Sequence, residues 1–335
     1  MNIKYNGWKL NDVVLELNLP LKPTRLKIVL MFKRIKQAKV FRMFQTWYSL
    51  KNELDIQKVL TGKLLIEINK NRVNEIINDI HEAEFQVFSQ WGDDGIIQFL
   101  ISYLDIDSKT FVEFGIEDYR ESNTRFLLTN NNWRGLVIDS SKKNIRQLQG
   151  EDIYWRYDLT ALTEHVTKEN INSILKSNGF INEIGLLHID IDGNDYWIWK
   201  EINIISPVIV IVEYNSVFGC ENTWTVPYDP GFSRQGYHYS NLCFGASLLA
   251  LCDLAEEKGY YFIGCNNNGV NAYFIRKDKI KELRPLTARE GYVLSKFRES
   301  RDKNSNLSFV SGANRLQQIK GVKVFNTRLC IVESI

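Results

Sequence analysis

Thr110-Phe-Val-Glu-Phe-Gly-Ile-Glu-Asp-Tyr119 and Asn132-Trp-Arg-Gly-Leu-Val-Ile-Asp139 decide the fold. Each reads as a short apolar strand that closes on a carboxylate, Glu113 in the first and Asp139 in the second. Gly115, at the strand-to-helix turn, lets the backbone approach a ligand with no Cβ in the way. Asp139 follows Glu113 by 26 residues, about the separation at which a Rossmann-like fold sets an acid against ribose hydroxyls. The competing reading, two core strands with solvated ends, remains open from these segments alone.

Working outward, strands are expected at 110–114, 135–139, 153–157, 184–190 and 207–213, with helices at 122–129, 141–149, 168–177 and 194–201. An apolar helix, Ile96 to Leu104, precedes the first strand. Strand alternating with helix argues for a parallel sheet covered on both faces. Tyr260–Asn266 and Asn271–Arg276 flank Asn267-Asn268-Gly269, a turn that joins antiparallel strands. The expectation is therefore an α/β Rossmann-like fold of the class I methyltransferase kind, a parallel sheet ending in an antiparallel hairpin, with an N-terminal helical appendage. Residues 1–80 would form that basic, helical appendage, with a strand at Val13 to Leu17 and a polar helix from Asp55 to Ile80. Residues 81–285 would form the methyltransferase domain and 286–335 a C-terminal extension.

At 335 residues, 44% hydrophobic and 24% charged, the composition is that of an ordinary globular protein. Cys220, Cys243, Cys252, Cys265 and Cys330 are odd in number and form no CxxC pair, so neither a disulfide framework nor a structural zinc site is indicated. The expected location is the cytoplasm, at the inner face of the membrane if the appendage binds there. The longest apolar run near the start, Ile28 to Phe32, is far short of the roughly 20 residues that span a bilayer.

The net charge of +2 hides an asymmetry: Lys22 to Lys51 holds nine basic residues and no acidic one, which leaves the remainder net acidic. Ile28, Phe32, Ile35, Phe41, Phe44 and Trp47 are interleaved at roughly helical spacing. Residues 22–51 thus suit either peripheral contact with an anionic membrane or packing of the apolar side on the domain. Nucleic acid is not an expected partner, because no recognition motif accompanies the basic stretch.

The motifs together resemble the FkbM-type superfamily of S-adenosylmethionine-dependent methyltransferases, in the branch found in bacterial surface-polysaccharide gene clusters. The resemblance covers about residues 84 to 277. It rests on Ser89-Gln90-x-Gly92-x-Asp94, Val112-Glu113-Phe114-Gly115 with Ser122-Asn123-Thr124, Trp133-x-Gly135-Leu136-x-Ile138-Asp139 and Asp190-x-Asp192-Gly193-x-Asp195. It implies S-adenosylmethionine as cofactor, held by Gln90, Glu113, Gly115, Asp118, Asn123, Asp139, Asp158 and Asp190. Asp139 would take the ribose hydroxyls, Asp158 the adenine amine and Asp190 the methionine end. The chain departs from the pattern at Ile116-Glu117-Asp118, where the usual second glycine is missing. A carboxylate-rich rim suits ammonium and sulfonium charges and would repel a pyrophosphate.

His188-Ile-Asp190-Ile-Asp192-Gly193-Asn194-Asp195 follows an apolar strand, and the next strand ends at Glu213. Asp190, Asp192 and Glu213 supply the oxygen ligands that Mg²⁺ or another divalent cation requires. The alternative gives Asp190 to the donor and Asp192 and Asp195 to the N-terminus of the following helix. Phe218 to Asn241 is too long for an ordinary connector and rich in aromatics, which suits a sugar ring. Within it Arg234 could clamp an anionic group, and His238 could take a hydroxyl proton or merely pack among tyrosines. His81 and His165 read as surface residues, and Trp197 and Trp199 as filling a helix–sheet interface.

The expected activity is O-methylation of a sugar hydroxyl, or a related polar group, on a capsule or lipopolysaccharide precursor. Two alternatives stand beside it. Asp190-x-Asp192 mimics the metal-binding motif of glycosyltransferases that use a nucleotide-sugar. The altered loop at Glu117-Asp118 leaves room for a donor-fold binding protein without turnover.

Overall fold

Alternate residues of the central strands face opposite ways, and each face has its own helices. In the computed structural model, which describes residues 23–335, Val112, Leu136, Leu187 and Val210 enter one apolar cluster, while Phe111, Val137, Leu186 and Ile209 enter the other. A period of two with both faces buried is what a doubly covered parallel sheet requires. The first cluster is closed by helices Ile171–Ser177, Asp195–Glu201 and Leu248–Lys258, the second by Asp93–Tyr103, Arg125–Asn131 and Lys142–Gln149.

The strands are β1 (Thr110–Phe114), β2 (Arg134–Asp139), β3 (Leu159–Thr163), β4 (Asn182–Ile189), β5 (Ile205–Glu213), β6 (Trp224–Thr225), β7 (Tyr260–Cys265), β8 (Asn271–Arg276), β9 (Lys323–Asn326) and β10 (Ile331–Ser334). Seven form one sheet in the order β3-β2-β1-β4-β5-β8-β7. β1 to β5 pair in parallel, and β8 lies antiparallel between β5 and β7. This is the Rossmann-like methyltransferase arrangement, with the expected hairpin at its end. The order in which strands are added reverses between β1 and β4, so the loops after β1, β2, β4 and β5 open on one crevice at the sheet's C-terminal edge.

One strand differs from expectation. Residues 153–156 lie in a helix, Asp152–Arg156, Tyr157 caps it, and the strand follows at Leu159–Thr163. The aromatics of Asp152-Ile-Tyr-Trp-Arg156 favour a strand, but Asp152 occupies the first helical turn and pairs with Arg156 one turn on, Arg156 Nη2 to Asp152 Oδ2 at 2.9 Å.

The helix α1 (Pro23–Lys70) is 48 residues long. By internal contacts the chain divides into Met1–Lys58 and Val59–Ile335. In the second unit Val59 and Ile66 pack against the cluster of Val87, Phe88 and Phe126. Gly62 has no room for a side chain beside Val87 and Phe126. The strand expected at Val13–Leu17 lies outside the described residues. No helix among the described residues is long and apolar enough to cross a membrane. The C-terminal residues form β9 and β10, and β9 lies antiparallel between β10 and β6 in a three-stranded sheet.

Candidate active site

The crevice is a cleft of roughly 690 Å³. Its floor is Glu113, Gly115, His188 and Asp190, its sides Gln90, Asn123, Asp139, Asp192, Glu213 and Arg234. Most of the residues expected at a site are therefore brought together, from four strands and their loops.

The loop after β1 is held from below. Glu113 is buried and accepts from Ser122 Oγ (2.6 Å), Asn123 N (3.2 Å), Thr124 Oγ1 and His188 Nδ1 (3.0 Å). Burial pushes this carboxyl up, but the His188 bond and charge and the two hydroxyls outweigh it and hold it below its ordinary value. Burial lowers His188 in turn, and Glu113, followed by Asp190, raises it overall. Asn123 Nδ2 lies 3.1 Å from His188 Nε2. Neutral His188 accepts there, and protonated His188 would need the amide turned to offer its oxygen. With four donors, Glu113 anchors Ser122–Thr124 rather than presenting a free carboxylate to a ligand.

The missing second glycine is replaced by strain. Glu117 and Tyr119 take φ of 47° and 62°, left-handed values that cost a side-chain-bearing residue roughly 1–2 kcal/mol each. Tyr119 is buried and its hydroxyl reaches Thr124 Oγ1 at 3.0 Å, which holds the loop in place. As a result Glu117 N points at Asp139, donating to Oδ2 at 2.9 Å, while Ser141 N donates to Oδ1 at 2.7 Å. Asp139 thus stands fixed at the end of β2, with lone pairs left for a ligand's hydroxyls.

The loop after β4 is built on Asp195. Its Oδ1 accepts from Ile191 N (2.8 Å) and its Oδ2 from Gly193 N (2.9 Å), while Asp192 turns through φ 56°. Asp190 stays in the cleft, whose lining it shares with Glu213 at the end of β5. Burial, and then Asp192, pushes Asp190 up to about 7. Burial and Asp190 push Glu213 well above the carboxylate range. Glu213 Oε2 is buried with no hydrogen-bond partner among the described residues. Both shifts run the same way, because like charges close together in a low dielectric resist joint ionisation.

Asp192 instead pairs with Arg234, Nη1 to Oδ1 at 2.7 Å. Arg234 also donates through Nε to Asn241 O (2.8 Å), and its guanidinium lies 3.8 Å over the Phe244 ring. Its Nη2 lies 3.9 Å from Glu299 Oε2 and has no hydrogen-bond partner among the described residues. The metal set expected from Asp190, Asp192 and Glu213 is not supported by this geometry. Asp192 is committed to a guanidinium. Among the described residues no group of three or more His, Cys, Asp or Glu is arranged to hold an ion.

Three other expectations fail on position. Asp158 precedes β3 instead of ending a strand, and its carbonyl accepts from Gly135 N at the start of β2, the edge of the sheet away from the cleft. The strand misassignment at 153–157 put it at the wrong end. Asp118 does not line the cleft; it meets Arg120 on the outside of the loop. His238 lies outside the lining too, its Nδ1 2.7 Å from Ser240 Oγ and its ring against Tyr239.

Several lining residues were not singled out by sequence. Glu164 follows β3, and Phe297 and Glu299 come from the C-terminal extension. His165, expected at the surface, is exposed at the rim of the cleft, and Phe232 of the aromatic loop lines it too. A correct β3 boundary would have drawn attention to Glu164; nothing in the local sequence of 297–299 signals a site. Phe232 covers Gly193 so closely that a Cβ there would meet its ring. Trp199 is buried in the core as expected, whereas Trp197 packs on Tyr228 and Phe325 and donates to Val226 O.

No protein-family model matches the chain, and no curated protein resembles it significantly. Among solved structures it is similar to M. capricolum TrmK in complex with S-adenosyl-homocysteine, at 13% identity over 53% of this chain and 65% of that one, with a TM-score of 0.32. The match thus spans less than two thirds of that protein. A S-adenosylmethionine-dependent methyltransferase from Clostridium acetobutylicum ATCC 824 is 11% identical over 62% of this chain and 98% of its own, with a TM-score of 0.36. An O-methyltransferase family protein from Burkholderia thailandensis is 9% identical over 65% and 71%, with a TM-score of 0.34. At such identities and scores, the fold assignment rests on this chain's own strand order.

Proposed function

We propose that the chain is a S-adenosylmethionine-dependent O-methyltransferase whose acceptor is a sugar hydroxyl on a bacterial glycan precursor of the capsule or lipopolysaccharide type. The observation that carries the reading is Asp139, fixed by two backbone amides at the end of β2 and facing an acid-lined cleft at the sheet's C-terminal edge. The donor supplies a methyl group on a cationic sulfonium, and a cleft rich in carboxylates favours that charge over a diphosphate. The chemistry of the residues present therefore fits the group. Asp139 would hold the ribose hydroxyls and Gly115 would leave room for the backbone to approach.

Methyl transfer to a hydroxyl needs alignment and a place for one proton. The Asp190–Glu213 pair is suited to receive it, since both carboxyls are shifted up and so bind a proton more tightly than an ordinary carboxylate, and Glu213 Oε2 has no hydrogen-bond partner among the described residues. Phe232, Phe297 and Trp91 give the cleft aromatic faces of the sort that stack on a sugar ring. Arg234 Nη2, which lies 3.9 Å from Glu299 Oε2 and makes no hydrogen bond among the described residues, would donate to an acceptor oxygen. Residues 22–51, with nine positive charges, would suit an acceptor met at an anionic membrane surface.

Calorimetric titration with S-adenosylhomocysteine, UDP-glucose and NAD, each with and without Mg²⁺, tests the reading. Binding of S-adenosylhomocysteine alone, indifferent to Mg²⁺, is the expected result. Metal-dependent binding of UDP-glucose without it would replace the methyltransferase by a glycosyltransferase.

A further inference from the structure

The outer side of α1 carries an apolar seam. Met43, Trp47, Leu50, Leu54, Leu64 and Ile68 are each more than half exposed. They recur at alternating steps of four and three, and the two gaps in the series are filled by Gln57 and Thr61. Trp47, Leu54, Thr61 and Ile68 are then the a positions of a heptad, and Met43, Leu50, Gln57 and Leu64 the d positions. Large apolar groups exposed along more than three heptads of one helix mark an interaction surface. The residues that meet that domain, Val59, Gly62, Ile66 and Asn69, are b and f positions, on the opposite side of the helix.

We propose that this seam is the interface of a parallel two-stranded coiled coil with a second copy of the same chain. Charge selects both the partner and its direction. Glu53 occupies g and Lys58 the e position of the next heptad, so in a parallel, in-register pair each Glu53 faces the partner's Lys58. Leu60 and Leu65 stand in the same g-to-e relation one heptad on and extend the apolar contact. An antiparallel pair would bring e against e, and so Lys51 and Lys58 against lysines. Gln57 and Thr61 at the centre are the polar core residues that fix register at some cost in stability. From residue 43 to 68 the contact is roughly 39 Å long. A membrane would bury the same apolar groups but has no use for a glutamate beside the seam.

The test is the mass of the full chain in solution. Sedimentation equilibrium at micromolar concentration is expected to give twice the chain mass, and Leu50→Glu with Leu64→Glu to halve it while leaving the thermal midpoint of the domain unchanged. Glu53→Lys should weaken the dimer, and Glu53→Lys with Lys58→Glu should restore it. That rescue separates specific pairing from general adhesion. In a Cys330→Ser background, Leu50→Cys should oxidise to a covalent dimer, as only the parallel register allows. A monomeric parent, or a Leu50→Glu/Leu64→Glu variant that stays dimeric, overturns the proposal. So does a monomer that floats with phosphatidylserine vesicles and loses this on the Leu50→Glu/Leu64→Glu change, which would assign the seam to a membrane.

Discussion

Gly115, at the end of β1, lies directly under the carbonyl oxygen of Asp190, and a Cβ at Gly115 would overlap that atom. Its φ of 77° is a left-handed value as well. The two strand ends that shape the cleft floor are thus in backbone contact. Gly115→Ala should cost more than the roughly 1–2 kcal/mol of the conformation alone, because β4 must also move. The expected outcome is a lower thermal midpoint together with loss of S-adenosylhomocysteine binding. A variant that keeps both would mean that the cleft floor tolerates displacement.

Asp139→Ala removes an acceptor that two backbone amides and, on the proposed reading, a ribose share. Loss of a charge-assisted bond costs about 1.5–3 kcal/mol, roughly tenfold or more in affinity. Calorimetry on a variant verified as folded checks this. Unchanged affinity would remove Asp139 from the donor site.

The Asp190–Glu213 pair predicts opposite pH responses for stability and activity. Asp190 binds its proton more tightly folded, at about 7, than unfolded. The stability that proton confers is therefore complete below about pH 4 and lost as pH rises to about 7. Glu213 is shifted the same way. Glu213→Gln should then raise the melting temperature more at pH 8 than at pH 5. Turnover should rise with pH through about 7 as the pair ionises, and Asp190→Asn should lower kcat by about 10²–10⁴. His238→Ala, outside the cleft, should leave kcat within a few-fold; a collapse comparable to that of Asp190→Asn would return the proton-accepting role to His238.

Glu113 should matter for stability first. Glu113→Ala leaves His188, Ser122 and Thr124 without a shared acceptor in a buried site, at a cost of about 3–5 kcal/mol. Urea denaturation measures it. A loss below about 1 kcal/mol would mean that water replaces the carboxylate.

What could be read from sequence was set by local patterns. β1, β2, β4 and β5 are short apolar runs ended by Gly or an acid, and the hairpin is announced by Asn267-Asn268-Gly269, so sheet and crevice were legible. β3 was not, because Leu159-Thr-Ala-Leu-Thr163 is a weaker strand signal than the aromatic helix before it, and the error carried Asp158 with it. Roles within the acid cluster depend on partners distant in sequence. Asp192 meets Arg234 across 42 residues and Glu113 meets His188 across 75, and no spacing rule says which carboxylate is spoken for.

The three-stranded sheet of β6, β9 and β10 ties the chain's last residues to the loop that follows β5. Tyr237 donates to Lys323 O, Trp224 to Glu333, and the same extension contributes Phe297 and Glu299 to the cleft. One wall of the crevice is therefore encoded apart from the seven-stranded sheet, whose strands end at Arg276. Over evolutionary time that wall can diverge, lengthen or be exchanged while the β1–β2 half stays as it is. Relatives built on this plan should differ most in their tails, and chimeras that trade the tails should inherit the tail donor's choice of substrate.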